Sequence, residues 1–280
     1  MKRAFLVAGL LPALLSVAAW AADVPAQGPS LDAGFGSLYN LDFDRAHNEF
    51  ASWEKQHPED PRGPVSDAAG SLFSELHRLG VLESQFYEED RKFEARKKLA
   101  PDPAVRDRFN AQIAVAESRA QAVLAKNPKD PNALFAMTLA SGLKADYAAL
   151  IDKSNLASLR YTRESTDWGG RVLAVDPGNY DAHLASGISR YIVGSMSSPM
   201  RWILKLGGVS GDKQAGIAEL QLTADRGRYL APFAKILLAI AYVREHDKDR
   251  ARQVLSSLRD QFPGNTLFPR EIARLDGVAH

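Results

Sequence analysis

The chain has 280 residues, with 35 Lys and Arg against 34 Asp and Glu, six His, no Cys, 45% hydrophobic and 9% aromatic residues. Near-neutral charge without a Lys/Arg run excludes a strongly basic nucleic-acid binder, and the lack of cysteine excludes disulfides, thiolate catalysis and Cys-ligated zinc or iron–sulfur clusters. Fifteen Pro and 20 Gly, scattered along the chain, exclude collagen-like and low-complexity disorder.

Residues 1–21 read as a cleaved signal peptide. Lys2 and Arg3 form a positive start, Ala4 to Ala19 an apolar stretch broken by Pro12, and Ala19-Trp20-Ala21 a small-x-small cleavage pattern. A span across a bilayer needs about 20 apolar residues, and no later stretch reaches that length. With no Cys after the apolar stretch to carry a lipid, the expectation is an exported, most simply periplasmic, protein without a stable membrane anchor. Residues 22–35, which include the Pro-, Ala- and Gly-rich run Asp23 to Pro29, are expected to be a flexible segment, and residues 36–280 a single all-α domain.

From there the apolar spacing is helical. Val65, Ala69, Leu72, Leu76 and Leu79 share one face closed by Gly80, a C-cap residue. Val105, Phe109, Ile113, Ala116, Ala120 and Val123 continue the pattern over more than four turns, and Tyr161, Ser165, Trp168, Val172 and Val175 repeat it. Alternating runs rich in Val, Ile and Thr do not occur, so no sheet is expected.

The punctuation repeats. Pro58-Glu59-Asp60, Pro128-Lys129-Asp130, Pro177-Gly178-Asn179 and Pro263-Gly264-Asn265 each place Asp or Asn two residues after Pro. The Pro ends the preceding helix, and the Asp or Asn can cap the next one. Pro61 and Pro131 then stand at the first helical position, and Asp102-Pro103 uses the same start signal. Twelve, eight and five residues before each Pro stand Ala46, Phe50 and Trp53; Ala116, Ala120 and Val123; Ser165, Gly169 and Val172; and Ala251, Leu255 and Leu258. Small, then often bulky, then apolar, these lie on one helical face.

On these residues the chain resembles the tetratricopeptide repeat (TPR) family, whose pattern ends in Ala-x3-Phe and a terminal Pro. The best copy is 232–265, where Leu238, Ala239, Tyr242, Ala251, Leu255, Leu258 and Pro263 match and Lys235 replaces the family's Trp. The Pro marks are 70, 49 and 86 residues apart, and only the first gap approaches a multiple of the roughly 34-residue period. The resemblance therefore implies a degenerate TPR-like helical-hairpin array, an α-solenoid with inserted helices near 64–80 and 199–226. The stretches YNLDFDRA, RYTREST and GRYLAPFAKILLAIAYV are also similar to a group of exported bacterial TPR-like proteins, which implies architecture and no chemistry. A TPR register would turn Phe135, Leu139, Leu184, Ile188, Tyr191, Phe233, Ile236 and Ile240 toward a concave groove. The Lys/Arg/Asn set with which TPR domains clamp a peptide carboxylate is missing there. An apolar groove of that size is either filled by the inserted helices, which is the expectation, or holds something apolar.

Chemical motifs are sparse. No His-x3-His or His-Glu-x2-His pair exists, and Gly207 to Lys213 lacks the order of a phosphate loop and reads as a turn with Asp212 capping a helix. Glu88-Glu89-Asp90 lacks calcium-loop spacing, and no Gly-x-Ser-x-Gly elbow occurs. Glu75 and His77, two apart, do not share a helical face. No metal or cofactor is expected. Two segments rise above this background. Pro199 to Leu206, containing Arg201 and Trp202, is a partner or membrane-surface contact or a short packing helix. Arg160, Tyr161, Arg163, Glu164, Asp167 and Trp168, if joined in space by Arg226, Arg228 and Tyr229, would form either a polar pocket or an ion-pair network.

Three functions follow. The first is a non-enzymatic scaffold or adaptor contacting a protein or peptide partner, with no nucleic acid, as a monomer or homodimer; a capping helix over 268–275 favours the monomer. The second is a small-ligand or lipid-binding helical protein using an apolar interior near Tyr191, Trp202 and Phe233. The third is a hydrolase drawing on Arg160 to Trp168 and His77. An open groove favours the ligand, a filled one the scaffold.

Overall fold

A computed structural model describes residues 30–84, 99–195 and 211–277. The expected signal peptide, Arg201 and Trp202, the Gly207–Ser210 part of the glycine turn, and Glu88 to Asp90 lie outside these residues. Among the described residues every regular element is helical. In chain order they are α1 (Leu31–Tyr39), α2 (Phe43–Gln56), α3 (Arg62–Arg78), the single turn α4 (Val81–Ser84), α5 (Pro103–Lys126), α6 (Pro131–Leu150) and α7 (Asn155–Val175). A 3-10 turn (Tyr180–Ala182) leads into α8 (His183–Ser195), followed by α9 (Lys213–Arg226), α10 (Ala231–Arg244), α11 (Lys248–Gln261) and α12 (Leu267–Leu275). Each helix packs chiefly on its chain neighbours, a TPR-like hairpin array.

The repeated punctuation is a repeated structure. At all four marks the residue before Pro caps a helix end, its N–H donating to the carbonyl four residues back at 2.8 Å: His57 to Trp53, Asn127 to Val123, Asp176 to Val172 and Phe262 to Leu258. The Asp or Asn of the mark then donates its N–H to the carbonyl of that same residue, at 3.0–3.1 Å. Pro sits inside this turn, where its fixed φ fits and its missing N–H costs nothing. The start signals also form: Asp102 accepts from Ala104 N–H at 2.8 Å, Asp130 from Ala133 N–H at 2.9 Å and Asp212 from Ala215 N–H at 3.0 Å. Asp60 and Asn265, like Asp102, accept from the N–H two residues on, of Arg62 and Leu267. Asn179 makes no side-chain cap, because the 3-10 turn intervenes before α8.

The positions upstream of the marks face inward. Ala46, Phe50, Ala116, Ala120, Val172, Ala251, Leu255 and Leu258 are at most 1% exposed. Gly80 ends α3 at φ +66°, the left-handed conformation expected of it.

One expectation at the N-terminal end changes. The segment expected to be flexible to residue 35 is helical from Leu31. Ser30 Oγ accepts from Ala33 N–H, and Leu31, Phe35 and Leu38 are at most 5% exposed, so burial outweighs the low helix propensity of Gly34 and Gly36. The array is also not open. Helix α1 packs against distant chain: Phe35 lies 5.2 Å from the Tyr229 ring, and Tyr39 lies 5.4 Å from Phe262. The Tyr39 hydroxyl donates to the Tyr229 carbonyl at 2.9 Å, and Asn265 Nδ2 donates to the Tyr39 carbonyl at 2.8 Å. Asp32 pairs with Arg228 at 2.7 Å on the rim of the same contact. The first helix thus closes the array onto its C-terminal hairpins.

Candidate functional site

Closure leaves an apolar hollow on the concave side. It has two compartments, of about 100 and 190 Å³, and Leu38, Tyr39, Phe73, Asp146, Ile188 and Phe233 line both, so they are continuous. The smaller one reaches between α6 and α7 to Gly142 and Ser165; the larger one runs toward α12, to Leu267 and Phe268.

Of the residues expected on the concave face, Leu139, Leu184, Ile188, Phe233, Ile236 and Ile240 line the hollow. Phe233 meets Phe73 of α3 edge-on at 5.5 Å. Phe135 is displaced into the core, its ring 6.3 Å from that of Tyr229. Tyr191, buried where α9 crosses α8, lines neither compartment. The expected filling by inserted helices is not what the described part of those helices does. Helix α3 supplies wall through Ala69, Phe73 and Leu76, and α9 contributes no lining residue. The inserted helix is wall because Phe73, on its groove side, packs against Phe233 of α10 instead of crossing the opening.

Polar groups in the wall are nearly all engaged. Ser165 Oγ donates to the Thr138 carbonyl at 2.8 Å, and Thr138 Oγ1 to the Leu134 carbonyl at 3.0 Å. Asp181 accepts the backbone N–H groups of Tyr229 and Leu230, each at 3.0 Å. Burial raises the Asp181 carboxyl pKa against these bonds, and burial followed by the Asp181 charge raises the Tyr39 phenol.

Among the carboxyls that line the hollow, Asp146 is the exception. Among the described residues it makes no hydrogen bond or ion pair, and no Lys, Arg or His of theirs lines either compartment. Burial alone pushes its carboxyl up to about 7. The sequence carried a signal for it: Asp146 follows Phe135 and Leu139 along the apolar stripe of α6, seven residues beyond Leu139, where an apolar residue would continue the face.

The polar groups singled out in the sequence enter other networks. Arg160 lies over the Tyr161 ring at 4.5 Å and reaches Glu164 at 3.8 Å, while Lys144 approaches the same ring at 4.7 Å. Arg163 is exposed. Arg226 stacks on Tyr180, Arg228 pairs with Asp32, and Tyr229 joins the closure core, so these three belong to a different set of contacts from Arg160, Tyr161 and Arg163. Glu75 is committed to Arg78 at 2.6 Å and to the Asp102 N–H at 2.7 Å. His77 packs against Phe43 and His183 against Tyr180, and neither lines the hollow. Sequence reasoning also missed a buried cluster in which Asp67, 1% exposed, meets His47 Nδ1 at 2.5 Å and Arg108 at 2.8 Å. Among the described residues no group of three His, Asp or Glu is placed to hold a metal, and no helix is long and apolar enough to cross a membrane.

Comparison with known families finds no match, and comparison with curated proteins finds no similar sequence. Among solved structures, the chain is similar to the crystal structure of a thermophilic TPR protein of Thermus thermophilus, at 16% identity over 87% of this chain and 96% of that one, with a TM-score of 0.44. The likeness names no ligand or partner.

Proposed function

We propose that this chain is an exported, non-catalytic binding protein that holds a small apolar or amphipathic ligand in the hollow of a closed TPR-like array. The observation that carries the reading is the continuity of the two compartments, which share six lining residues contributed by α1, α3, α6, α8 and α10. Stacked hairpins generally serve as binding scaffolds, and here the concave side is a concavity walled by apolar side chains with few polar groups, the ordinary character of a small-molecule site. Export rests on the signal-peptide pattern at 1–21 and predicts a mature N-terminus at Ala22, read by sequencing the protein from its own cells. The hollow is tested with N-phenyl-1-naphthylamine, whose fluorescence rises in apolar cavities. The wild type enhances it, and Ile188→Trp, which adds bulk where the two compartments meet, abolishes the enhancement. Enhancement unchanged by Ile188→Trp would place the dye elsewhere and remove the reading.

A second reading, a protein-interaction surface, is favoured by α7. Leu156 is 84% exposed, and Leu159 is also exposed beside Arg160 and Arg163. Exposed apolar side chains beside cations fit a partner contact outside the hollow, and crosslinking from a reactive group placed at Leu156 would recover that partner.

A further inference from the structure

We propose that the hollow selects an amphipathic amine, a ligand whose alkyl or aryl body fills the apolar compartments and whose ammonium group is held by Asp146. The inference rests on the reading of the hollow as a ligand site and adds the chemistry of the ligand.

Three observations converge on Asp146. It stands at the junction of the two compartments, so a ligand occupying either one passes its carboxyl. It has no partner among the described residues, although the other carboxyl of the inner compartment, Asp181, is satisfied by two backbone N–H groups. The described walls hold no countercharge. Tyr39 of α1 faces the hollow with its hydroxyl given to the Tyr229 carbonyl, Asp181 faces it from the 3-10 turn, and Glu271 of α12 lies in the outer compartment. Helix α7 offers only the neutral Thr162 and Ser165, and α3, α8 and α10 offer apolar side chains.

A half-buried lone carboxyl in such a wall carries a desolvation cost that no partner among the described residues offsets. An apolar residue would fill the position at lower cost, and its neighbours along the α6 stripe are apolar. A ligand cation supplies the missing partner: an ammonium group donates charge-assisted hydrogen bonds to the carboxylate, while its hydrocarbon body displaces water from the compartments. A carboxylic or phosphate ligand would instead bring a second negative charge to the same place, and a neutral one would leave the carboxyl unpaired.

The ionisation of Asp146 then gates binding. With its carboxyl at about 7 in the empty protein, the competent carboxylate rises from about one-tenth to about nine-tenths of molecules between pH 6 and 8, and apparent affinity scales with that fraction. An alkylammonium stays protonated throughout, as lysine does with its pKa of about 10.4.

The test is isothermal titration calorimetry of the full mature chain with n-octylamine and with 1-octanol at pH 6, 7 and 8. Octylamine is expected to bind about tenfold more tightly at pH 8 than at pH 6, and octanol to bind more weakly with no such dependence. Asp146→Asn, which keeps the side-chain shape, is expected to bring octylamine to the octanol level and flatten its pH profile. Asp146→Leu is expected to raise the melting temperature while losing the amine, which separates a ligand role from a structural one. If octanol binds as well as octylamine at pH 8, the amine selectivity is overturned and the apolar ligand site stands. If neither binds, both are overturned.

Discussion

Leu255 tests how the array is held together. It stands eight residues before the last Pro mark, on the face of α11 that turns inward, and is fully buried. Truncation to Ala removes three carbons; at about 0.8 kcal/mol per buried methylene, transfer alone costs roughly 2.4 kcal/mol. The space left behind adds to this, giving a total of about 3–4 kcal/mol within the ~2–5 kcal/mol range of such changes. With a urea dependence of about 2 kcal/mol per molar, the midpoint should fall by roughly 1.5–2 M. Urea unfolding followed by far-UV circular dichroism and by Trp fluorescence measures both the size and the cooperativity. An open array would lose its damaged C-terminal hairpin first. Here Tyr39 and Phe35 bind that end to the start of the chain, so the two signals should fall together in one transition. Val115→Ala, on the exposed face of α5, should change stability by less than about 0.5 kcal/mol. A Leu255→Ala loss below about 1 kcal/mol, or two separated transitions, would refute the packing and closure argument.

Asn265→Ala should release α1: it leaves the buried Tyr39 carbonyl and Leu267 N–H without partners, at a cost of about 1–3 kcal/mol, and limited proteolysis should then cut near residue 40 first. Gly216→Ala should disrupt the α8–α9 crossing, since its Cβ would stand 2.5 Å from the Tyr191 backbone nitrogen; a drop in thermal melting temperature larger than that of Gly170→Ala, whose Cβ meets open space, checks it. Burial alone would raise the Asp67 carboxyl, yet hydrogen bonds from His47 and Arg108 outweigh it and hold it below the ordinary range. Its contribution to stability is therefore present above the unfolded carboxylate value of about 3.9 and lost as pH falls through the lower folded value. Acid unfolding of Asp67→Asn should lack this limb, and an unchanged acid profile would refute the assignment.

The hairpins were legible because their signals are local. Pro, the capping Asp of Asp102, Asp130 and Asp212, and the small residues Ala46, Ala116 and Ala251 each act within a few positions of themselves. Asn179 misled because a cap and a 3-10 turn share the same Asn preference. Closure was not legible: Tyr39 meets Tyr229 and Asn265, 190 and 226 residues away, and no periodicity encodes a contact at that separation. The first half of α1 falls in the segment expected to be flexible for the same reason, since its helicity comes from burying Leu31, Phe35 and Leu38 rather than from propensity. The groove residues Leu139, Ile188 and Phe233 followed from repeat register. Asp146 did not, because acid–base pairs and metal clusters are recognised by grouping, and a solitary carboxyl in an apolar stripe shows only once the stripe is known to face a hollow.

Native mass spectrometry of the protein isolated from its own cells, before and after denaturation, tests most directly whether the closed array holds a ligand. The expected result is a small molecule retained in the folded state, released on unfolding and carrying a basic nitrogen. A bare folded mass, together with no uptake of N-phenyl-1-naphthylamine by the same sample, would contradict it.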